Sequence, residues 1–328
     1  MSENLKDNMK VFMNITLKQM PSRNGTKFFV NNQTAVNVAM TWFSLMSCPA
    51  TLLLNGILIT AIASRAELRT GFNLYIANIA LTDVCVGLTN MPGTFLSQYR
   101  NHGYLLNPVS CTVLVCYGAY TLGGVNRWAH VLVAVNRLWA LTFPLCYRQR
   151  HTRRVALLLV MAIWVLIHAL SLPVVIRGRM KPAEQSCRLD VSQQRKYAFV
   201  QDLICFSVPL VLIPLMYSFI VVKMVRRKRR KQVNPAGNQG NAAAVEAAKS
   251  VARRSKERVL MYLVILLVVC WTPSKVYWHL VELADYWDTT FLAVQFFGQF
   301  AHHWISPILC YLAMDDLRRR INQMLRCQ

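Results

Sequence analysis

The chain has 328 residues, 55% of them hydrophobic and 16% charged, against roughly 25% charged in an average globular domain. That balance excludes an ordinary soluble domain, and the length suits seven membrane spans joined by short loops. The formal net charge of +23 would suit nucleic acid, but the basic residues cluster between long apolar runs, with no aromatic-interleaved basic face and no zinc-ligand spacing. Membrane lipids are therefore the implied partner, and nucleic acid is not.

Residues 1–37 read as a polar tail. Its first ten residues, MSENLKDNMK, show no cleavable signal peptide, so the first span is expected to act as the export anchor. Three sequons, at Asn14, Asn24 and Asn32, all lie in this tail and predict glycosylation on the extracellular side.

Seven apolar runs follow, at Val38–Ala63, Phe72–Gln98, Ser110–Leu141, Val155–Val175, Ala198–Val225, Val259–Val281 and Phe291–Met314. Each reaches the roughly 20 residues a helix needs to cross the hydrocarbon layer. Lipid cannot satisfy bare backbone groups, so helices are the form such runs must take. Prolines at 92, 173, 209, 214, 273 and 307 lie inside or near the ends of these runs, a placement that membrane helices tolerate. The predicted fold is all-α, a seven-transmembrane helix bundle over residues 38–314.

Residues 226–254 form a basic third cytoplasmic loop that opens with Arg226-Arg227-Lys228-Arg229-Arg230-Lys231 and continues into a flexible Ala/Gly-rich stretch. Residues 315–328 predict a short amphipathic eighth helix lying along the inner membrane surface, followed by a cytoplasmic tail. With the N-terminus outside, most of the 37 Lys and Arg fall on the cytoplasmic side, as the positive-inside bias requires. The chain is thus expected in the cell membrane, multi-pass, with an extracellular N-terminus.

Single polar and proline positions, one set per span, carry a resemblance to the rhodopsin-like (class A) G-protein-coupled receptor family over about residues 38–325. Span one has Asn55. Span two reads Asn73-Leu-Tyr-Ile-Ala-Asn78-Ile-Ala-Leu-Thr-Asp83, and span three ends Asn136-Arg137-Leu138, followed by Pro144-Leu-Cys-Tyr147. Span four has Trp164 and Pro173, and span five Phe206, Pro209 and Tyr217. Span six has Cys270-Trp271-Thr272-Pro273, and span seven Ser306-Pro307. Departures accompany the match. Asn136 and Leu138 replace an acid and a tyrosine beside Arg137, Cys310 stands at the place of the tyrosine in span seven with Tyr311 one residue late, and Leu267 stands where an aromatic is usual. Cys111 lies one residue further from Arg137 than the family norm, an extra residue to be absorbed near Gly123-Gly124.

The resemblance implies a receptor that binds an extracellular ligand and activates a heterotrimeric G protein. It makes Asn136, Arg137, Tyr217, Trp271, Pro273, Pro307 and Tyr311 the coupling and switch residues. It also implies a Cys111–Cys187 disulfide; the remaining cysteines mostly fall within spans, where a small apolar role is the expectation. Cys327 is either palmitoylated or a free thiol. Because Asn136 cannot pair with Arg137 as an anion, a weakly held inactive state is expected.

Asn55, Asp83, Arg127, His302 and His303 are expected to form an intramembrane polar network. A charge at that depth is costly, so Asp83 is expected to pair with Arg127 while a histidine donates to the acid. The candidate ligand cavity comprises Ala119, Tyr120, Gln201, Asp202, Phe206, Trp271, Lys275, Trp278, Phe296 and Gln299. Span three has no acid near Ala119, which disfavours a monoamine. Span seven has no lysine for a retinal Schiff base. Lys275 is placed either to hold a ligand carboxylate or to pair with Asp202, and a peptide or an anionic or lipid-like small molecule is the favoured ligand. No nucleophile–base pair, metal-ligand cluster or phosphate loop is legible, so neither enzyme activity nor a cofactor is expected. The competing readings are a receptor-like protein that binds or scavenges without signalling, and a transporter, which would need internal repeats that the chain does not display.

Overall fold

A backbone crossing lipid satisfies its own N–H and C=O groups most simply as a helix, and the apolar runs obey that constraint. The computed structural model describes residues 27–98, 108–178, 194–233, 261–280, 284, 286 and 288–326. Among these the chain is helical, with short connections and no strand. Six helices are long and apolar enough to cross a membrane: spans one to six at Ala35–Ala63, Gly71–Leu96, Val109–Thr142, Arg153–Arg177, Lys196–Arg226 and Met261–Leu280. Span seven, Thr289–Ala313, has 25 residues but is less apolar. Its Gln295, His302 and His303 are buried within the bundle, where they do not meet lipid.

The helix of span one begins earlier than predicted, at Lys27, and runs for 37 residues to Ala63. At about 1.5 Å per residue it outreaches the hydrocarbon layer. Asn32, predicted to lie in a tail, falls in its first turns. Asn14, Asn24, Cys187 and Cys327 lie outside the described residues, as does the loop following the span-five helix.

Spans two, three and five depart from regular helix. In span two the helix ends at Leu88, where the N–H of Thr89 reaches both Cys85 O and Val86 O, and a new helix starts at Asn90 just before Pro92. In span three, residues Thr112–Leu122 form a π-helix, and the N–H of Gly123 bonds Gly118 O five residues back. A π turn holds more residues than an α turn, so this stretch absorbs the extra residue between Cys111 and Arg137, in the turns just before Gly123-Gly124. A second π stretch, Leu203–Ser207, lies in span five just before Pro209, which has no backbone N–H to donate.

Span one packs against spans two and seven, while span three sits centrally against spans two, four and five. Gly124 permits that centrality, since a Cβ there would stand 3.1 Å from Ile167 Cγ2 and 3.3 Å from Cys205 Cβ. The main apolar core fills the half of the bundle nearer Arg137, with Leu58, Ile76, Leu132, Ile213, Leu267 and Cys310 all buried. The amphipathic helix is present at Asp315–Arg326 and inserts Leu317 and Ile321 into this core. Its outer face carries Asp315–Arg318 and Asp316–Arg319 pairs at 2.7 and 2.6 Å.

Candidate functional site

Three levels of polar and aromatic residues run down the bundle. At the Cys111 end, Lys275 Nζ on span six meets Asp202 Oδ2 on span five at 2.5 Å. Of the two roles open to Lys275, the pairing with Asp202 is the one found. Gln201 is buried with its Nε2 3.5 Å from Ser171 Oγ. Phe206 meets Tyr120 edge-on at 6.4 Å, and Ala119 and Gln299 are half-buried. Phe296 is buried against Phe300. Trp278 is 45% exposed, whereas its neighbour Tyr277 is buried and meets Phe291 edge-on. Asp288 accepts a hydrogen bond from Phe291 N and caps span seven, a structural task for one of the loop acids. Cys111 is disulfide-bonded.

One level down, Phe206, Arg127 and Trp271 stack. The guanidinium of Arg127 lies 4.2 Å from the centre of the Phe206 ring and 3.4 Å from that of Trp271, distances at which a cation is attracted to the ring face. Its Nη1 donates to Gly123 O at 2.8 Å. A Cβ on Gly123 would stand 3.0 Å from that same nitrogen, so the glycine leaves the room in which the guanidinium lies.

The predicted Asp83–Arg127 pair does not form. Consecutive residues on a helix point about 100° apart, and it is Asn126 that faces span two. Asn126 Nδ2 donates to Asp83 Oδ1 at 2.7 Å and to Thr82 Oγ1 at 2.9 Å, which turns Arg127 toward spans five and six. The expected histidine contact is present, with His303 Nδ1 2.6 Å from Asp83 Oδ1. Asn55 Nδ2 donates to the backbone oxygens of Thr51 and His303, both at 2.9 Å. His302 lies between Trp271 and His130, with ring centres 5.7 and 5.2 Å away. No metal donor set was legible in the sequence, yet folding brings Asp83, His302 and His303 within 4.8 Å of one another, ligand atom to ligand atom.

At the opposite end, Arg137 is half-buried and lies over the Phe72 ring, 3.5 Å from its centre. Asn136 is buried and turns away toward the loop after span three. Its Nδ2 stands 2.9 Å from His151 Nε2, where the Tyr75 hydroxyl also stands at 2.9 Å, and Tyr147 donates to Asn136 Oδ1 at 3.3 Å. The His151 and Tyr147 rings stack with centres 4.5 Å apart. An amide nitrogen can only donate, so His151 Nε2 is the accepting, unprotonated nitrogen. Partial burial and the positive charge of Arg137 hold His151 below the ordinary histidine pKa.

The remaining predicted residues are dispersed. Tyr217 packs half-buried against the main core, and Pro307 is buried. Pro273 lines an apolar groove of about 390 Å³ with Val269, Val276 and Val294. Tyr311 gives its hydroxyl to Asn322 of the amphipathic helix at 2.9 Å, while Cys310 takes the interior position. Asn126, His130 and His151 were absent from the sequence reading. The first two are spaced i, i+4 on the span-three helix, a legible sign of one shared polar face; His151 carries no such signal, because its hydrogen-bond partners Tyr75 and Asn136 come from two other elements.

The family described as 7 transmembrane receptor (rhodopsin family) matches residues 54–312. The chain is similar to the KiSS-1 receptor of Homo sapiens, with 28% identity over 83% of this chain and 71% of that one. It is also similar to the D(1B) dopamine receptor of Xenopus laevis, 24% over 84% and 67%, and to neuromedin-U receptor 2 of Homo sapiens, 23% over 73% and 58%. The chain thus spans 58% to 71% of the length of these relatives.

Proposed function

Since the chain belongs to the rhodopsin family of seven-transmembrane receptors, which are receptors and not enzymes, we propose that it binds an extracellular ligand at the Cys111 end and activates a heterotrimeric G protein at the Arg137 end. The observation that carries this reading is a continuous line of contacts from the Cys111 end to the polar cluster at the middle of the bundle. Lys275 Nζ, paired with Asp202, lies 5.9 Å from the centre of the Phe206 ring. Phe206 touches Arg127, Arg127 covers Trp271, and Trp271 meets both His302 and His303. His303 in turn holds Asp83. A ligand that displaces Lys275 or Asp202 would bias the packing of spans five, six and seven together.

Relatives named for dopamine and for neuromedin U stand side by side, so the ligand class rests on the chemistry of the cavity. Asp202 is already neutralised by Lys275, and span three offers no acid near Ala119. A ligand ammonium has no carboxylate waiting there, whereas a ligand carboxylate can compete with Asp202 for Lys275. A peptide or an anionic or lipid-like small molecule therefore fits better than a monoamine. The reading places Asn14, Asn24 and Asn32 outside, with a Cys111–Cys187 bridge over the cavity. It places the basic loop and Cys327 inside.

The test is nucleotide exchange on co-expressed G proteins, without ligand and with peptide, lipid and amine collections. Exchange above the level of G protein alone, lost in Arg137→Ala at equal surface expression, is expected. Binding of a ligand with no exchange on any G protein would instead mark a receptor that captures without signalling.

A further inference from the structure

The imidazoles between spans two, three and seven have more lone pairs than hydrogen-bond partners. His302 is completely buried, and among the described residues neither of its ring nitrogens has a hydrogen-bond partner. His130 places Nδ1 2.9 Å from Asn126 O. A carbonyl only accepts, so Nδ1 carries the proton and Nε2 is a bare lone pair, buried and without a partner. Asp83 uses Oδ1 for His303 and Asn126, while its Oδ2 is likewise buried and without a partner. Leaving several such atoms empty is costly in any protein interior.

We propose that this cluster is a binding site for a divalent transition-metal ion of the zinc class, with Asp83, His302 and His303 as ligands. The ligand atoms of these three lie within 4.8 Å of one another. Two imidazoles and one carboxylate form a donor set that zinc takes in sites whose fourth position is left to water, whereas a hard alkali or alkaline-earth ion requires an oxygen cage that this cluster does not supply. The surrounding bonds do what the outer shell of a metal site does. Asn126 holds Asp83 through its amide, and Asn55 fixes the backbone at His303. The Asp83 carboxylate offsets one charge of the ion, and Arg127, the nearby cation, is drawn off against Trp271 and Phe206. Bound there, the ion would staple spans two and seven together. The site stands whether or not the chain couples to G proteins.

The experiment uses the full-length receptor, purified in detergent, stripped with a chelator and then titrated with Zn²⁺, Mg²⁺ or Na⁺ while thermal unfolding is followed. Zn²⁺ alone is expected to raise Tm at micromolar concentration, and His302→Gln is expected to lose that rise. An equal Zn²⁺ effect in His302→Gln, an effect of Na⁺ or Mg²⁺ without one of Zn²⁺, or no effect of any ion would each overturn the site. Should His302→Gln fail to fold, Co²⁺ bound to the wild-type chain decides: intense visible bands of four-coordinate Co²⁺ support the site, and the weak spectrum of six-coordinate Co²⁺ overturns it.

Discussion

His151 holds its place only while it is neutral, because its Nε2 accepts from Asn136 and Tyr75. Its pKa lies below the ordinary histidine value of about 6.5, owing first to burial and then to Arg137. A group depressed in this way adds its full stabilisation above the ordinary value and loses it as pH falls toward the folded value. Thermal stability of the wild type is therefore expected to drop as pH falls below about 6.5. His151→Phe, which retains the stack on Tyr147, should start lower by about 1 kcal/mol and lose most of that pH dependence; an unchanged pH profile would refute the assignment. Beside it, Asn136→Asp places a carboxylate next to Arg137 in the chain. A charge-assisted bond contributes about 1.5–3 kcal/mol, so ligand-free nucleotide exchange should fall roughly tenfold, and no fall would count against a weakly held inactive state. Gly123→Ala pushes a methyl group toward Arg127 Nη1, 3.0 Å away. Overpacking of that kind costs about 1–3 kcal/mol, to be read as a lower Tm and altered fluorescence of the tryptophan at 271.

The amphipathic helix shows most directly how an element is held. Leu317 and Ile321 enter the core, Tyr311 bonds Asn322, and Arg320 Nε donates to Ser64 Oγ at 2.8 Å. Span seven, the end of span one and this helix thus form one unit at the Arg137 end. Leu317→Ala removes the completely buried anchor and should cost about 2–5 kcal/mol of docking. Hydrogen exchange over residues 315–326 would accelerate selectively, and uniform acceleration across the bundle would instead indicate global destabilisation. The π stretch of span three has a different physical origin. One residue too many between Cys111 and Arg137 is stored as a wider turn, so that Cys111 and Arg137 keep their places at opposite ends of the span.

For the whole molecule, the proposed orientation is open to direct test. Peptide-N-glycosidase should shift the electrophoretic mobility of the receptor, and Asn→Gln at 14, 24 and 32 should each remove part of that shift. Asn32 is the most informative of the three, since it falls within the first helix, and its share of the shift is expected to be the smallest. Glycan-free protein at the cell surface would argue against a tail facing outward.

Span positions were legible because hydrocarbon imposes helix on any long apolar run; spans two to five and span seven end within two residues of their predicted bounds, whereas the helix of span one starts eleven residues early, at Lys27. The amphipathic helix was legible for a related reason, since spacing alone sets which face is apolar. Partner choice inside the bundle was not legible. Asn126 and Arg127 are neighbours in the chain and equally polar, and only the rotation of span three decides which one meets Asp83. That rotation depends on the π turn, on the close approach at Gly124 and on the room above Gly123, all of them contacts between segments far apart in sequence. The donor set of Asp83, His302 and His303 and the latch around His151 arise in the same way, from helices whose phase is set by packing.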